Sequence, residues 1–216
     1  MSTQENYNNP SPNRSPAEDS QLPQVFNGVD PATRLQIAGQ LIISAAKTEN
    51  SSRQGLLKTP ERFSKAMNFL LSGYESTPEK IVGDGLFPAE GRGLVSVNKA
   101  EFYSLCEHHM LPFWGNVSVA YYPSEKIIGL SKIPRVIDLF ARRLQVQERM
   151  TQNIADALFA LVKPRAIVVR IAGQHLCMMM RGVEKQNSFT RSEAAIGLEL
   201  LTNLEQQRLF SAIEER

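Results

Sequence analysis

Apolar residues recur along the chain with two different periods, and the switches between them outline the fold. Asp30-Pro31 reads as an N-cap followed by a first helical residue, and Leu35, Ala38, Leu41, Ile42 and Ala45 follow on one helical face, predicting a helix that ends near Thr48. Thr59-Pro60-Glu61 repeats the start signal. Phe63, Ala66, Met67, Leu70 and Leu71 form the stripe of a second helix that stops at Gly73, with Arg62 and Lys65 projecting from its first turns. Gly and Pro between Gly83 and Gly93 predict a loop. Short β-like runs follow at 94–97, 101–105, 117–122 and 126–130.

From Ile133 the helical period returns. Ile133, Val136, Ile137 and Phe140 share one face, and Met150, Ile154, Ala157, Leu158 and Leu161 share another, so two helices are predicted with a break at 144–147. Segments 166–172 and 176–183 look like strands, and a last helical segment is predicted from about Ser192 to Ile213. On a strand over 176–183, His175, Cys177 and Arg181 would share one face, while Leu176, Met178 and Met180 would enter the core. The order of elements implies an α+β fold.

Composition narrows the possibilities. Residues 1–23 are rich in Asn, Ser, Pro and Gln, with almost nothing to bury, and are expected to form a disordered tail ahead of one domain over 24–216. That domain would comprise N-terminal helices over 24–75 and a core over 94–216. The 216 residues are 42% hydrophobic, enough for a core, and carry a formal net charge of +2. So even a balance does not point to nucleic acid or a membrane surface, and an anionic ligand would have to be met by a local cation cluster. No apolar run approaches the roughly 18 residues of a membrane span and no secretory leader is legible, so a cytoplasmic location is expected. Only two cysteines are present, far apart, which argues against a disulfide framework.

The chemistry is concentrated. All three histidines and both cysteines fall in Cys106-Glu107-His108-His109 and His175-Leu176-Cys177. Cys-x-x-His is a compact chelating spacing, and Cys177 completes a soft set of three ligands suited to zinc with a fourth position for water. His108 and His175 would then stand beside the metal as proton carriers. A structural zinc with His108 or His175 as fourth ligand, and plain packing of the cysteines, are the alternatives. Ser131-Lys132 with Arg135 reads as an anion site at a helix start or as a solvated helix end. In the segment 145–149, Gln147 and Glu148 can hydrogen-bond a purine edge or simply form a polar turn. No P-loop is present.

Together, Thr59-Pro60-Glu61-Arg62, Cys106-Glu107-His108-His109, Gly129-Leu130-Ser131-Lys132, Gln145-Val146-Gln147-Glu148-Arg149, and His175-Leu176-Cys177-Met178 with Arg181-Gly182 resemble GTP cyclohydrolase I. The resemblance spans about 30 to 198. It implies the tunnelling fold, an antiparallel four-stranded sheet with two long helices preceded by N-terminal helices, assembled as a homodecamer with sites shared between subunits. It implies conversion of GTP and water to 7,8-dihydroneopterin triphosphate and formate, the first step toward tetrahydrofolate and other pterins. Zinc on Cys106, His109 and Cys177 would supply hydroxide for attack at C8, with His108 as proton donor and acceptor, His175 assisting, and Ser131 near the ribose. Gln147 and Glu148 would clamp guanine, and Lys132, Arg135, Arg181, Arg62 and Lys65 would hold the triphosphate. Arg191 and Glu193 depart from the small hydroxyl residues usual in that stretch. Retention of His108, His109 and Cys177 speaks against the related nitrile reductase of queuosine synthesis, and a purine-binding paralogue with a structural zinc is the non-catalytic rival.

Overall fold

The structure, a computed structural model, describes residues 24–214; the expected tail over 1–23 lies outside them. The chain divides into two compact units at Phe69/Leu70.

The first unit holds helices α1 (Pro31–Ala45) and α2 (Thr59–Leu70). Asp30 caps α1 through Thr33 N and Oγ1 (3.1 and 2.6 Å), which satisfies donors that the helix cannot pair itself. Ser64 Oγ on α2 donates to Ala32 O on α1 (2.8 Å). The two helices meet where Gly39 lies against Phe63 and Pro60. The expected apolar face of α1 is only partly covered, since Leu41 and Ile42 are each more than half exposed, as are Leu57 and Phe69, which stood on neither expected face.

The second unit begins with a 3₁₀ turn, Ser72–Glu75, and the short helix α3 (Pro78–Val82). Next come β1 (Leu86–Pro88), β2 (Val95–Cys106), β3 (Pro112–Tyr122), β4 (Lys126–Ile128), α4 (Lys132–Ala141) and β5 (Leu144–Gln145). The chain continues through α5 (Gln147–Val162), β6 (Ala166–His175), α6 (Leu176–Met179), β7 (Thr190–Ile196) and α7 (Asn203–Ser211). The main sheet runs β5-β2-β3-β6-β7, in which the four long strands are antiparallel and β5 adds a two-residue parallel pairing at one edge. β1 and β4 form a separate ribbon.

Strand alternation explains the two layers against the sheet. Phe102, Val117, Val119, Tyr121, Val169 and Ile171 face one way and pack with Ile133, Val136 and Ile137 of α4 and Met150, Ile154 and Leu158 of α5. Ala120, Tyr122, Ala166 and Val168 face the other way and pack under Leu209 and Ile213 at the C-terminal end.

Four expectations are corrected. Segments 94–97 and 101–105 are one strand with a register shift between Val97 and Ala100, where Lys99 has φ 56°. The expected loop over 83–93 contains β1. The expected helix over 192–213 is β7 followed by α7. The expected strand over 176–183 is the single helical turn α6, closed by Met180 N to Leu176 O (3.0 Å). The shared strand face for His175, Cys177 and Arg181 therefore does not exist, and Met180 is 62% exposed, not core.

Candidate metal centre and active site

β2 ends at Cys106, and the chain turns back at once into β3. Met110 N donates to Cys106 O (2.7 Å), and Cys106 N donates to Leu111 O (2.9 Å). Met110 makes the reversal in the left-handed region (φ 54°), which costs a non-glycine residue roughly 1 kcal/mol or more. β3 then pairs on both sides, Leu105 opposite Pro112 and Phe113 opposite His175. This register brings the end of β6, and Cys177 just beyond it, beside the Cys106 loop.

The result is a cluster in which the ligand atoms of Cys106, His109 and Cys177 all lie within 4.8 Å of one another. Cys106 is buried, Cys177 half-buried and His109 exposed, so the set opens to solvent on one side. Burial first, and then the neighbouring Cys106 sulfur, push the Cys177 thiol up, with Arg181 opposing weakly. Two sulfurs held together in this way are relieved when a cation takes the place of their protons, and a soft S₂N set fits zinc at bond lengths of about 2.3 Å to sulfur and about 2.0 Å to nitrogen.

The non-ligand histidines are placed differently. His108 is exposed, with Nδ1 3.6 Å from Cys106 Sγ and Nε2 4.0 Å from Glu107 Oε1. His175 stacks on Phe113 at 4.6 Å, nearly parallel, and its Nε2 is 2.9 Å from Gln147 Oε1. Gln147 Nε2 donates to Thr190 O and Ser192 Oγ (3.0 Å each), so the amide oxygen must be the atom turned to the imidazole. His175 Nε2 therefore carries the hydrogen, leaving Nδ1 as an acceptor in the neutral ring. Burial lowers the His175 pKa, with the Glu148 charge opposing.

Arg181 Nη1 donates to His109 Nε2 (2.7 Å). Glu148 is exposed at the start of α5, whereas Gln147 is 1% exposed, with its carboxamide fully engaged inside the protein. Lys132 reaches Ile81 O (3.4 Å), and Ser131 is exposed at the start of α4 without a side-chain capping bond. Arg135 lines a cavity of about 190 Å³ with Ser76, Asp138 and Arg142. Lys65 is paired with Glu61 (2.6 Å) within the first unit, where Arg62 is also exposed. The structure thus gathers Cys106, His109, Cys177, His108 and Arg181 directly, and joins His175 to Gln147.

Sequence reasoning gave no role to Phe113, Glu107, Gln145 or Arg149. Phe113 lay outside the strand expected over 117–122. The others lay inside quoted motifs, but Glu107 meets Gln145 and Arg149 at separations of 38 and 42 residues, beyond the reach of a local pattern.

Fold and site together define the class: an α+β protein with a Cys-His-Cys group that could hold a metal ion at the rim of an antiparallel sheet. Residues 38–214 match the family model described as GTP cyclohydrolase I. The GTP cyclohydrolase 1 of Deinococcus radiodurans is 49% identical over 177 residues, covering 82% of this chain and 79% of that protein. That of Leptospira biflexa is 53% identical over 150 residues, covering 69% and 82%, and that of Campylobacter concisus 48% over 165 residues, covering 76% and 86%. The chain belongs to the GTP cyclohydrolase I family, and its α+β architecture is the tunnelling fold. No helix among the described residues is long and apolar enough to cross a membrane.

Proposed function

We propose that the chain is a zinc-dependent hydrolase that converts GTP and water to 7,8-dihydroneopterin triphosphate and formate, at the entry to tetrahydrofolate and pterin synthesis in the cytoplasm. The observation that carries this reading is the convergence of Cys106, His109 and Cys177 within 4.8 Å, open on one side and flanked by two further histidines. A zinc ion bound there supplies Lewis acidity that makes water a nucleophile near neutral pH.

The chain's own groups would do the rest. His108, exposed beside the ligand set, donates and recovers the proton at the purine imidazole nitrogen as the ring opens at C8. His175, with Nδ1 left as acceptor by the Gln147 bond, assists proton transfer. Glu148 meets the guanine edge with two acceptor oxygens. Gln147, the other half of the expected clamp, is held on His175 in this chain, and we assign it to orienting that ring. Arg181, Lys132, Arg135, Arg62 and Lys65 neutralise the triphosphate, and Ser131 stands near the ribose. Assembly into a homodecamer, with sites completed by neighbouring subunits, would cover the exposed Leu41, Ile42 and Phe69; a monomer that turns over GTP, seen by light scattering, would exclude it.

The test measures bound metal and formate release from GTP in one preparation. About one zinc per chain with formate and pterin fluorescence is expected. Zinc without either product would favour a purine-binding paralogue. His108→Ala should keep zinc and lose turnover; loss of zinc in that variant would make His108 a ligand and the site structural.

A further inference from the structure

The Arg149 side chain joins the metal-ligand loop to the helix that carries the proposed purine-facing residues. Arg149 stands in the first turn of α5, after Gln147 and Glu148. Its Nη2 donates to Glu107 Oε2 and to Leu144 O (3.3 Å), and its Nε donates to Gln145 Oε1 (3.4 Å). The backbone follows the same route. Glu107 N donates to Gln145 O (3.0 Å), and Leu105 and Cys106 pair with Leu144 and Gln145.

Elsewhere the loop is held by the Arg181 bond to His109 Nε2 (2.7 Å) and the Cys106 Sγ contact with His108 Nδ1 (3.6 Å). Glu107, His108, His109 and Met110 are four consecutive exposed residues, held by the turn bonds at Cys106. An exposed ion pair contributes little to stability, at most about 1 kcal/mol. This one is different in kind, because a planar fork with three acceptors on two segments fixes an orientation. Glu107 lies between ligands Cys106 and His109, and its other oxygen is 4.0 Å from His108. The same turn of α5 holds His175 through Gln147.

We propose that Arg149 and Glu107 are a positioning pair for the metal site, setting the Cys106–His109 loop against the first turn of α5 so that the ligands and both non-ligand histidines share one reference. The proposal rests on the zinc reading above.

The experiment uses the full chain as wild type, Arg149→Ala, Glu107→Ala and the double variant, with zinc affinity read by competition against a chromophoric chelator. Wild type should bind zinc, and each single variant should bind it roughly 10–100-fold more weakly, the usual effect of losing a partner that orients a ligand. The double variant should lose no more than Arg149→Ala alone, because removing Arg149 already removes its bond to Glu107. Arg149→Lys should recover little, since an ammonium lacks the fork. At saturating zinc the loss should fall on kcat, with KM for GTP changed less than about twofold. Single variants within twofold of wild type in zinc affinity, or losses that multiply in the double variant, would overturn the pairing. Should Arg149→Ala fail to fold, Glu107→Ala removes the acceptor and keeps Arg149 on Leu144 and Gln145, and unaltered zinc affinity there overturns it equally. A wild-type chain that takes up no zinc would overturn the metal reading itself, before any variant is compared.

Discussion

Adding one methyl group at Gly173 tests whether the grip of Gln147 on His175 matters. Gly173 lies opposite Gly115 across β3 and β6, and a Cβ there would stand 2.9 Å from Gln147 Oε1, 3.2 Å from Trp114 O and 3.5 Å from Phe102 Cζ. The first distance is about half an ångström short of ordinary contact. Trp114 O belongs to the paired strand and has little freedom, so the Gln147 amide must move. The group it moves away from is His175 Nε2, now at 2.9 Å. Losing one neutral hydrogen bond costs about 1 kcal/mol, and overpacking adds about 1–2 kcal/mol. Gly173→Ala should therefore lower the urea midpoint by the equivalent of roughly 2–3 kcal/mol. With His175 no longer held in one orientation, kcat should fall by roughly five- to tenfold, the kinetic equivalent of about 1–1.4 kcal/mol. Gly91→Ala, where an added Cβ meets nothing within 4 Å, is the control for the substitution itself. If Gly173→Ala proves as silent as Gly91→Ala in both assays, the Gln147–His175 contact has no role in holding the ring.

Cys177→Ala should reduce bound zinc from about one per chain to near zero by metal analysis and abolish formate release; retention of full zinc would remove Cys177 from the ligand set. Arg143, 7% exposed, donates to Gly73 O (2.9 Å) and lies over the Tyr74 and Phe140 rings, so Arg143→Ala should cost about 1–3 kcal/mol in urea unfolding. Glu205 is held at about 2 by Arg165 and by the backbone and hydroxyl of Thr202. A carboxylate depressed by folding contributes stability above its unfolded pKa, near 4.5, and loses it as pH falls toward 2. Glu205→Gln should accordingly flatten the acid side of the stability profile between those pH values while leaving more acidic points unchanged, as followed by circular dichroism.

How much was legible in the sequence depended on whether a signal was local. Asp30-Pro31 marked a helix start because capping acts within one turn, and Thr59-Pro60 stands at the start of α2. Cys106 and His109 declared themselves by spacing. β7 did not, because its more sheltered positions, Thr190, Ser192, Ala194 and Ile196, are mostly small or polar and give alternation without a hydrophobic contrast. α6 read as a strand because Leu-Cys-Met-Met is apolar in either form, and only the need to turn after β6 selects a helical turn. The break between β-like runs at Lys99 was a bulge, which interrupts the alternation without ending the strand. The residues proposed for purine and triphosphate binding gave only local signals that ordinary polar turns and helix starts share, and family resemblance chose between the readings; the hold of Gln147 on His175 became visible only when β6 and α5 were placed together.

The pairing of β3 with β6 has a further consequence for the order in which the protein matures. Ten residue pairs, from Phe113 opposite His175 to Tyr122 opposite Ala166, settle where Cys177 arrives relative to Cys106. Two donors near each other in sequence cannot recruit the third before that long-range contact exists, and a slip of one residue turns every side chain of a strand to the opposite face. On the zinc reading proposed above, the ion would be a late arrival that meets a finished sheet and rewards only the correct alignment. Metal uptake would then depend on strand registration, a trace of folding history read at the rim of the sheet.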